Sequence, residues 1–361
     1  MHEFAHRHKS FNTILEDKFN EIKPFLPADH QLSKVQRFVL TSYFVMEYAL
    51  EAAALFNPSM VVHPKQDNKD RLKILISLRA TGEGHISSIE FVEGYINPDG
   101  NVELSDRGVS CHLAKLSAVD IEKSVLEFND DITMNERVIF PLTKDESNGI
   151  EDARFVKFDD ETNEKSYYGT FTAFDGKHIK SKLIITRDFK KFSIHSMSGS
   201  AINDKGMALF PQKINGKYVM ISRQDGENIR IMYSDDILHW EHSEILQAPE
   251  FPWQFGKLGN CGSPIELDEG WLLLVHGVGP IRKYVIGAYL LDKSNPAIVL
   301  KRTIDPYLFA TDEEREGYVP NVVYSCGGIC HQGKIYIPFA ISDMSSGMVS
   351  VSVEDLLNSM Q

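Results

Sequence analysis

The chain has 361 residues, 42% hydrophobic and 25% charged, which supplies ample sequence for a core and excludes long-range disorder. Its formal net charge of −13 repels phosphate backbones and anionic lipid, so neither nucleic acid nor membrane is an expected partner. Four cysteines are too few for a disulfide framework, and Cys326 and Cys330 with His331 lack the second ligand pair of a zinc site. They read as free thiols, with no metal expected.

The N-terminus has no apolar run of signal-peptide type, and no stretch of 18 apolar residues occurs. A cytoplasmic location is expected. A chain with its leader removed would read the same way and would be periplasmic. The spacing in FNTILEDKFNEIKPFL predicts a helix broken by Pro24 and Pro27. QLSKVQRFVLTSYFVMEYALEAAALF predicts a longer helix that stops before Asn57-Pro58. Residues 1–55 are therefore read as a helical extension and 56–361 as a catalytic domain. The apolar stripe in 31–55 suits packing on the same chain and equally on another subunit of a homo-oligomer, and the oligomeric state stays open.

After Asn57 the texture becomes β. Runs such as LKILISL, SYYGTFTAF, YVMISR, WLLLVHG and KIYIPFAIS are separated by Asp99-Gly100, Asp175-Gly176, Asn215-Gly216, Glu269-Gly270 and Gln332-Gly333. Such pairs mark antiparallel hairpins. Thr186-Arg187-Asp188-Phe189-Lys190-Lys191-Phe192 recurs as Ser234-Asp235-Asp236-Ile237-Leu238-His239-Trp240. A period of about 50 residues with an aromatic to wedge between sheets predicts a β-propeller of five or six blades. The alternative is a pair of β-sandwiches with a fortuitous match.

Several segments carry chemistry-bearing residues. Gly149-Ile150-Glu151-Asp152-Ala153-Arg154 sets an acidic pair beside an arginine, costly to bury unless paired or used. Arg79 and Asn57 stand at strand ends rich in polar groups and glycine. Ser222 to Asn228 is a polar stretch between strands, with Arg223 and Glu227, while His276 ends the WLLLV strand. Each alone reads equally as a surface ion pair, a turn or a structural histidine.

Together, FNPSMV, LRATGEGHISSI, GIEDARFV, ALFPQKINGKYVMISR, SDDILHW, CGSPIE with GWLLLVHGV, IGAYLLD and VPNVVYSCGG resemble glycoside hydrolase family 130. That family holds β-mannoside phosphorylases and β-1,2-mannosidases. The resemblance runs from about Asn57 to the C-terminus. It implies an all-β, five-bladed propeller with the N-terminal helices outside the shared core. It implies Asp152 as general acid, acting through the 3-hydroxyl of the mannose, with inversion of configuration. Asn57, Arg79 and Arg154 are then mannose contacts, and Arg223, His276 and Asp343 complete the expected substrate-binding set. Ala153 stands where the family usually has proline.

Phosphorolysis needs cations converging on a phosphate dianion, whereas hydrolysis needs a carboxylate to deprotonate water. The family's phosphorylases resemble P-I-K where this chain has Pro264-Ile265-Glu266, and carry a basic residue at the position of Val285. One carboxylate in place of a phosphate ligand costs about 4 kcal/mol at 4 Å and an effective dielectric of about 20. The expectation is therefore an inverting exo-β-mannosidase, acting on β-1,2-linked mannosides of an oligosaccharide or glycan, with Glu227 and Glu266 as the base and no cofactor. The alternatives are a phosphorylase releasing mannose 1-phosphate, with Arg223, Lys257, Arg282 and Lys283 as its remaining bases, and a non-catalytic sugar-binding propeller.

Overall fold

The structure, a computed structural model, describes residues 2–27, 31–108, 110–159, 165–315 and 317–361. The chain divides into two compact units: Met1–Ala49 with Gly108–Cys111, and Leu50–Arg107 with His112–Gln361.

The smaller unit holds helices Phe11–Ile22 and Lys34–Ser42, with Leu15, Phe19 and Phe38 as its buried apolar residues. Ser33 and Gln36 form a capping box at the start of the second helix. That helix is much shorter than the sequence pattern predicts. The Thr41 and Ser42 hydroxyls bond back to the carbonyls of Arg37 and Val39. Further on, Ala54 pairs with Thr81 in a sheet. Ladder bonds and burial outweigh the helix propensity of the alanine-rich segment.

The larger unit is a five-bladed β-propeller, as the hairpin pattern and the repeat predict. The inner edge strands of the five sheets are Ala54–Val62, Ile150–Asp159, Ala208–Leu209, Lys257–Asn260 and Val323–Tyr324, and each pairs antiparallel with a following strand. The ring closes between the first and fifth blades, where Cys326 N–H donates to Pro58 O and Met60 N–H donates to Gly327 O. Asn215-Gly216 and Gln332-Gly333 both take positive φ at both positions, as tight hairpin turns require.

The repeated turns do what their aromatic ends suggest. Phe189 and Phe192 are buried with Phe91 of the first blade and Phe155 of the second, at centroid separations of 5.3–6.1 Å. Trp240 is buried with Val156, Phe158 and Leu183 of the second blade and Met220 and Met232 of the third. Such aromatic pairs contribute about 0.5–1.5 kcal/mol each beyond their buried area, which fixes one blade against the next. Cys261 and Cys326 are buried free thiols, whereas Cys111 and Cys330 are partly accessible.

Candidate active site

Two irregularities in the inner strands build the centre of the site. On Ala54–Val62 the register with Leu72–Thr81 shifts between Phe56 and Ser59, so Asn57 and Pro58 oppose a single residue. On Ile150–Asp159 the register shifts opposite Thr170/Thr172, so Asp152 and Ala153 do the same. Both are β-bulges, which re-aim a side chain out of the pleat. Asn57 has φ 50° and Asp152 φ 53°, the left-handed region that Asn and Asp tolerate better than other non-glycine residues. The two bulges face each other: Asn57 Nδ2 donates to Asp152 Oδ1 at 2.7 Å.

Asp152 is buried among cations. Arg79 Nη1 lies 3.7 Å from Oδ1 and Arg154 Nη2 3.9 Å from Oδ2. Burial opposes ionisation of this carboxyl, but Arg79, Arg154, Lys205 and the Asn57 hydrogen bond outweigh it and hold its pKa at about 2. Arg154 is locked by three further bonds, from Nε to Cys261 O (2.9 Å), Nη1 to Asp152 O (2.8 Å) and Nη2 to the Tyr324 hydroxyl (2.6 Å). Arg79 donates to Ser87 Oγ and Glu151 Oε1, both at 2.9 Å, and its guanidinium lies over the Phe56 ring. Lys205 takes the other Glu151 oxygen at 3.3 Å.

Asp343, also at positive φ, behaves oppositely. Burial and the Asp152 charge raise its pKa to about 6, against the pull of Arg79, Arg282 and Lys205. Two carboxyls in one site, one ionised and one readily protonated, are arranged to divide the roles of charge and proton carrier. Relative to an unfolded value of about 3.9, the raised pKa means that Asp343 contributes stability present below about pH 4 and lost as pH rises through about 6. Asp152 has the opposite sign: its contribution is present above about pH 4 and lost as pH falls through about 2. Asp343→Asn, a neutral isostere, is expected to melt above the parent at pH 8, by up to about 2 kcal/mol of stability, and level with it at pH 4. Thermal denaturation at the two pH values checks this.

Next to the carboxyl pair lies a cationic wall. Arg223 Nη1 donates to His276 Nε2 at 3.0 Å and its Nε to Lys205 O at 3.1 Å. His276 is fully buried, with Nδ1–H directed at Asn260 O (3.2 Å). Burial first, then Arg223, Arg154 and Lys257, keeps it neutral by pulling its pKa well below the usual range. Its ring stacks on Tyr284 and meets Tyr324 edge-on at 4.8 Å. The Lys257 ammonium is held below its usual range by burial and then by the Arg223 charge. The fully buried Asn260 amide has neither polar atom paired among the described residues. The cations Arg79, Arg154, Lys205, Arg223 and Lys257 thus stand with the carboxylates Glu151, Asp152, Asp204 and Asp343, and the exposed Arg282 and Glu227 lie at the margin, in a chain of net charge −13.

Of the sequence candidates, Asn57, Arg79, Asp152, Arg154, Arg223, His276 and Asp343 converge in this cluster. Glu227 is an exposed loop residue whose carbonyl accepts from Leu258 N–H, which sets it beside Lys257 along the backbone. Glu266 does not belong to the site, which corrects its expected role as a base. It pairs with Trp271 at the turn end of the Trp271–Val278 strand, five residues or about 17 Å from His276, and is exposed in an ion pair with Lys293 at 3.2 Å. Glu266→Gln is expected to change turnover less than about 2-fold in a steady-state assay, since an exposed pair contributes under about 1 kcal/mol. Val285 is buried opposite Gly277 in the sheet. Lys205 and Tyr324 were not singled out from the sequence. Lys205 sits in a polar turn, Asn203-Asp204-Lys205-Gly206, that reads as surface.

Residues 112–361 match the model of glycoside hydrolase family 130, described as beta-1,4-mannooligosaccharide phosphorylase. A 1,2-beta-oligomannan phosphorylase of Thermoanaerobacter sp. (strain X514) is 34% identical over 227 residues, 62% of this chain and 75% of that protein. A beta-1,2-mannobiose phosphorylase of Listeria innocua serovar 6a is 30% identical over 258 residues, 69% of this chain and 70% of that protein. The solved beta-1,2-mannobiose phosphorylase from Listeria innocua, in complex with beta-1,2-mannobiose, has the same fold, with a TM-score of 0.61 at 21% identity over 85% of this chain and 92% of that one.

Proposed function

Because the chain belongs to glycoside hydrolase family 130, we propose that it cleaves a β-mannosidic bond at this site, with β-1,2-linked mannosides as its substrates. Asn57 and Arg154 on the bulged strands, with Arg79 on the strand paired to the first, hold the mannose. The Asp152–Asp343 pair carries the proton. Asp343, the more readily protonated of the two, supplies it, and Asp152 passes it through the 3-hydroxyl of the mannose to the leaving oxygen. The C1–O bond breaks as a nucleophile attacks C1 from the opposite face, so a single displacement inverts the configuration.

The nucleophile is inorganic phosphate, and mannose 1-phosphate is the product. The observation that carries this is the clustering of Arg223, Lys205 and Lys257 along one wall, in a chain otherwise strongly acidic. A dianion compensates that clustered charge and offsets the Arg223 repulsion that adds to burial in depressing the Lys257 ammonium. Neutral His276 can donate nothing from Nε2, which already accepts from Arg223, so it serves to orient that guanidinium.

Hydrolysis is the second reading, favoured by the exposed Glu227 beside Lys257, which could deprotonate a water. A panel of β-mannosides, read by chromatography of the released sugars, tests the shared part of both readings. Turnover of a β-1,2-linked mannoside is expected. Failure with every β-mannoside, against turnover of another glycoside, overturns it.

A further inference from the structure

The phenol of Tyr324 stands where the carboxyl end of the site meets the cationic wall. It belongs to the inner strand Val323–Tyr324 of the fifth blade and is 5% exposed. Its oxygen accepts from Arg154 Nη2 at 2.6 Å. Its ring meets that of His276 edge-on, and His276 Nε2 accepts from Arg223 Nη1. Among the described hydrogen bonds its own O–H hydrogen has no acceptor. A buried phenol normally places that hydrogen on a partner. Here Arg154 occupies the oxygen from one side, so the hydrogen points away from Arg154. His276, the ring in contact with Tyr324, has its Nε2 engaged by Arg223 Nη1.

We propose that Tyr324 is a ligand of the nucleophile, donating its hydroxyl hydrogen to an oxygen of bound inorganic phosphate between Arg154 and the His276–Arg223 pair. This rests on phosphorolysis as the reaction. Its chemistry suits the position. The Arg154 bond makes the phenol a stronger donor, and a donor that is neutral adds no charge to a crowded cationic wall. The same bond fixes the C–O direction, so the hydrogen can swing only about one axis to find the anion. Tyr324 would thereby discriminate in favour of a tetrahedral oxyanion with an acceptor at that point, over water or halide.

Tyr324→Phe keeps the ring that packs on His276 and removes only the hydroxyl. Phosphate binding to the parent and to Y324F is measured directly by isothermal titration with inorganic phosphate, without sugar, alongside steady-state kinetics. A bond to a charged acceptor predicts a rise of about 10-fold or more in the phosphate Kd and KM, with the mannoside KM changed less than about 3-fold. Equal phosphate affinity in the two proteins overturns the assignment and leaves phosphorolysis standing. A parent that binds no phosphate and turns over without it overturns phosphorolysis itself. Joint loss of phosphate and mannoside affinity with a lowered Tm would make Tyr324 a packing residue, which also overturns the assignment. Should Y324F not fold, 3-fluorotyrosine placed at 324 retains the contacts and strengthens the donor. Tighter phosphate binding is then expected, and unchanged or weaker binding contradicts the proposal.

Discussion

Asp152→Asn is expected to lower kcat about 10³-fold while the protein still folds and still binds β-1,2-mannobiose. Asparagine tolerates the φ of 53° at this bulge, and its carbonyl oxygen can still accept from Asn57 Nδ2. What it cannot do is receive and release the proton of the carboxyl pair. Alanine is a poorer probe. It would leave Arg79 and Arg154 without their buried counter-charge, and breaking such a pair costs about 3–5 kcal/mol. Kinetics beside calorimetric binding of the disaccharide checks the prediction. Loss of binding together with turnover would make Asp152 a substrate ligand rather than part of the proton path.

Arg223→Gln is expected to raise the KM for phosphate between about 10- and 100-fold, with a smaller effect on the mannoside KM. The reasoning is electrostatic. Arg223 is buried and held by His276 Nε2 and Lys205 O, so its charge is fixed at the wall proposed to take phosphate. A hydrogen bond to a charged group contributes about 1.5–3 kcal/mol, and each 1.4 kcal/mol is a factor of 10. Glutamine keeps a donor for His276 while removing the charge. Varying phosphate and mannoside separately in initial-rate assays separates the two constants. Equal shifts in both would mean that Arg223 supports the whole site rather than the anion.

The propeller was legible because its determinants are local. Hairpin turns such as Asn215-Gly216 need positive φ, and the turns ending on Phe192 and Trp240 carry their wedge within seven residues. The helix predicted over 31–56 failed for the converse reason: pairing of Ala54 with Thr81 is non-local and competes with propensity. The convergence of Asn57 with Asp152 was readable from GIEDAR and FNPS, since each bulge places adjacent residues of one short motif. The cationic wall was not. Whether Glu266 faces the axis depends on which end of the Trp271–Val278 strand points inward, and that is set by the whole blade. Counting lost cations at Glu266 and Val285 favoured hydrolysis. The folded site also gathers Lys205, Arg223 and Lys257 from separate loops and strands, and Lys205 shows no local signature.

The nucleophile can be tested without any mutation, by incubating the protein with β-1,2-mannobiose with and without inorganic phosphate and identifying the sugars formed. Mannose 1-phosphate that appears only in the tube with phosphate is the predicted result. Free mannose released at equal rates in both tubes would contradict phosphorolysis and return the base role to Glu227.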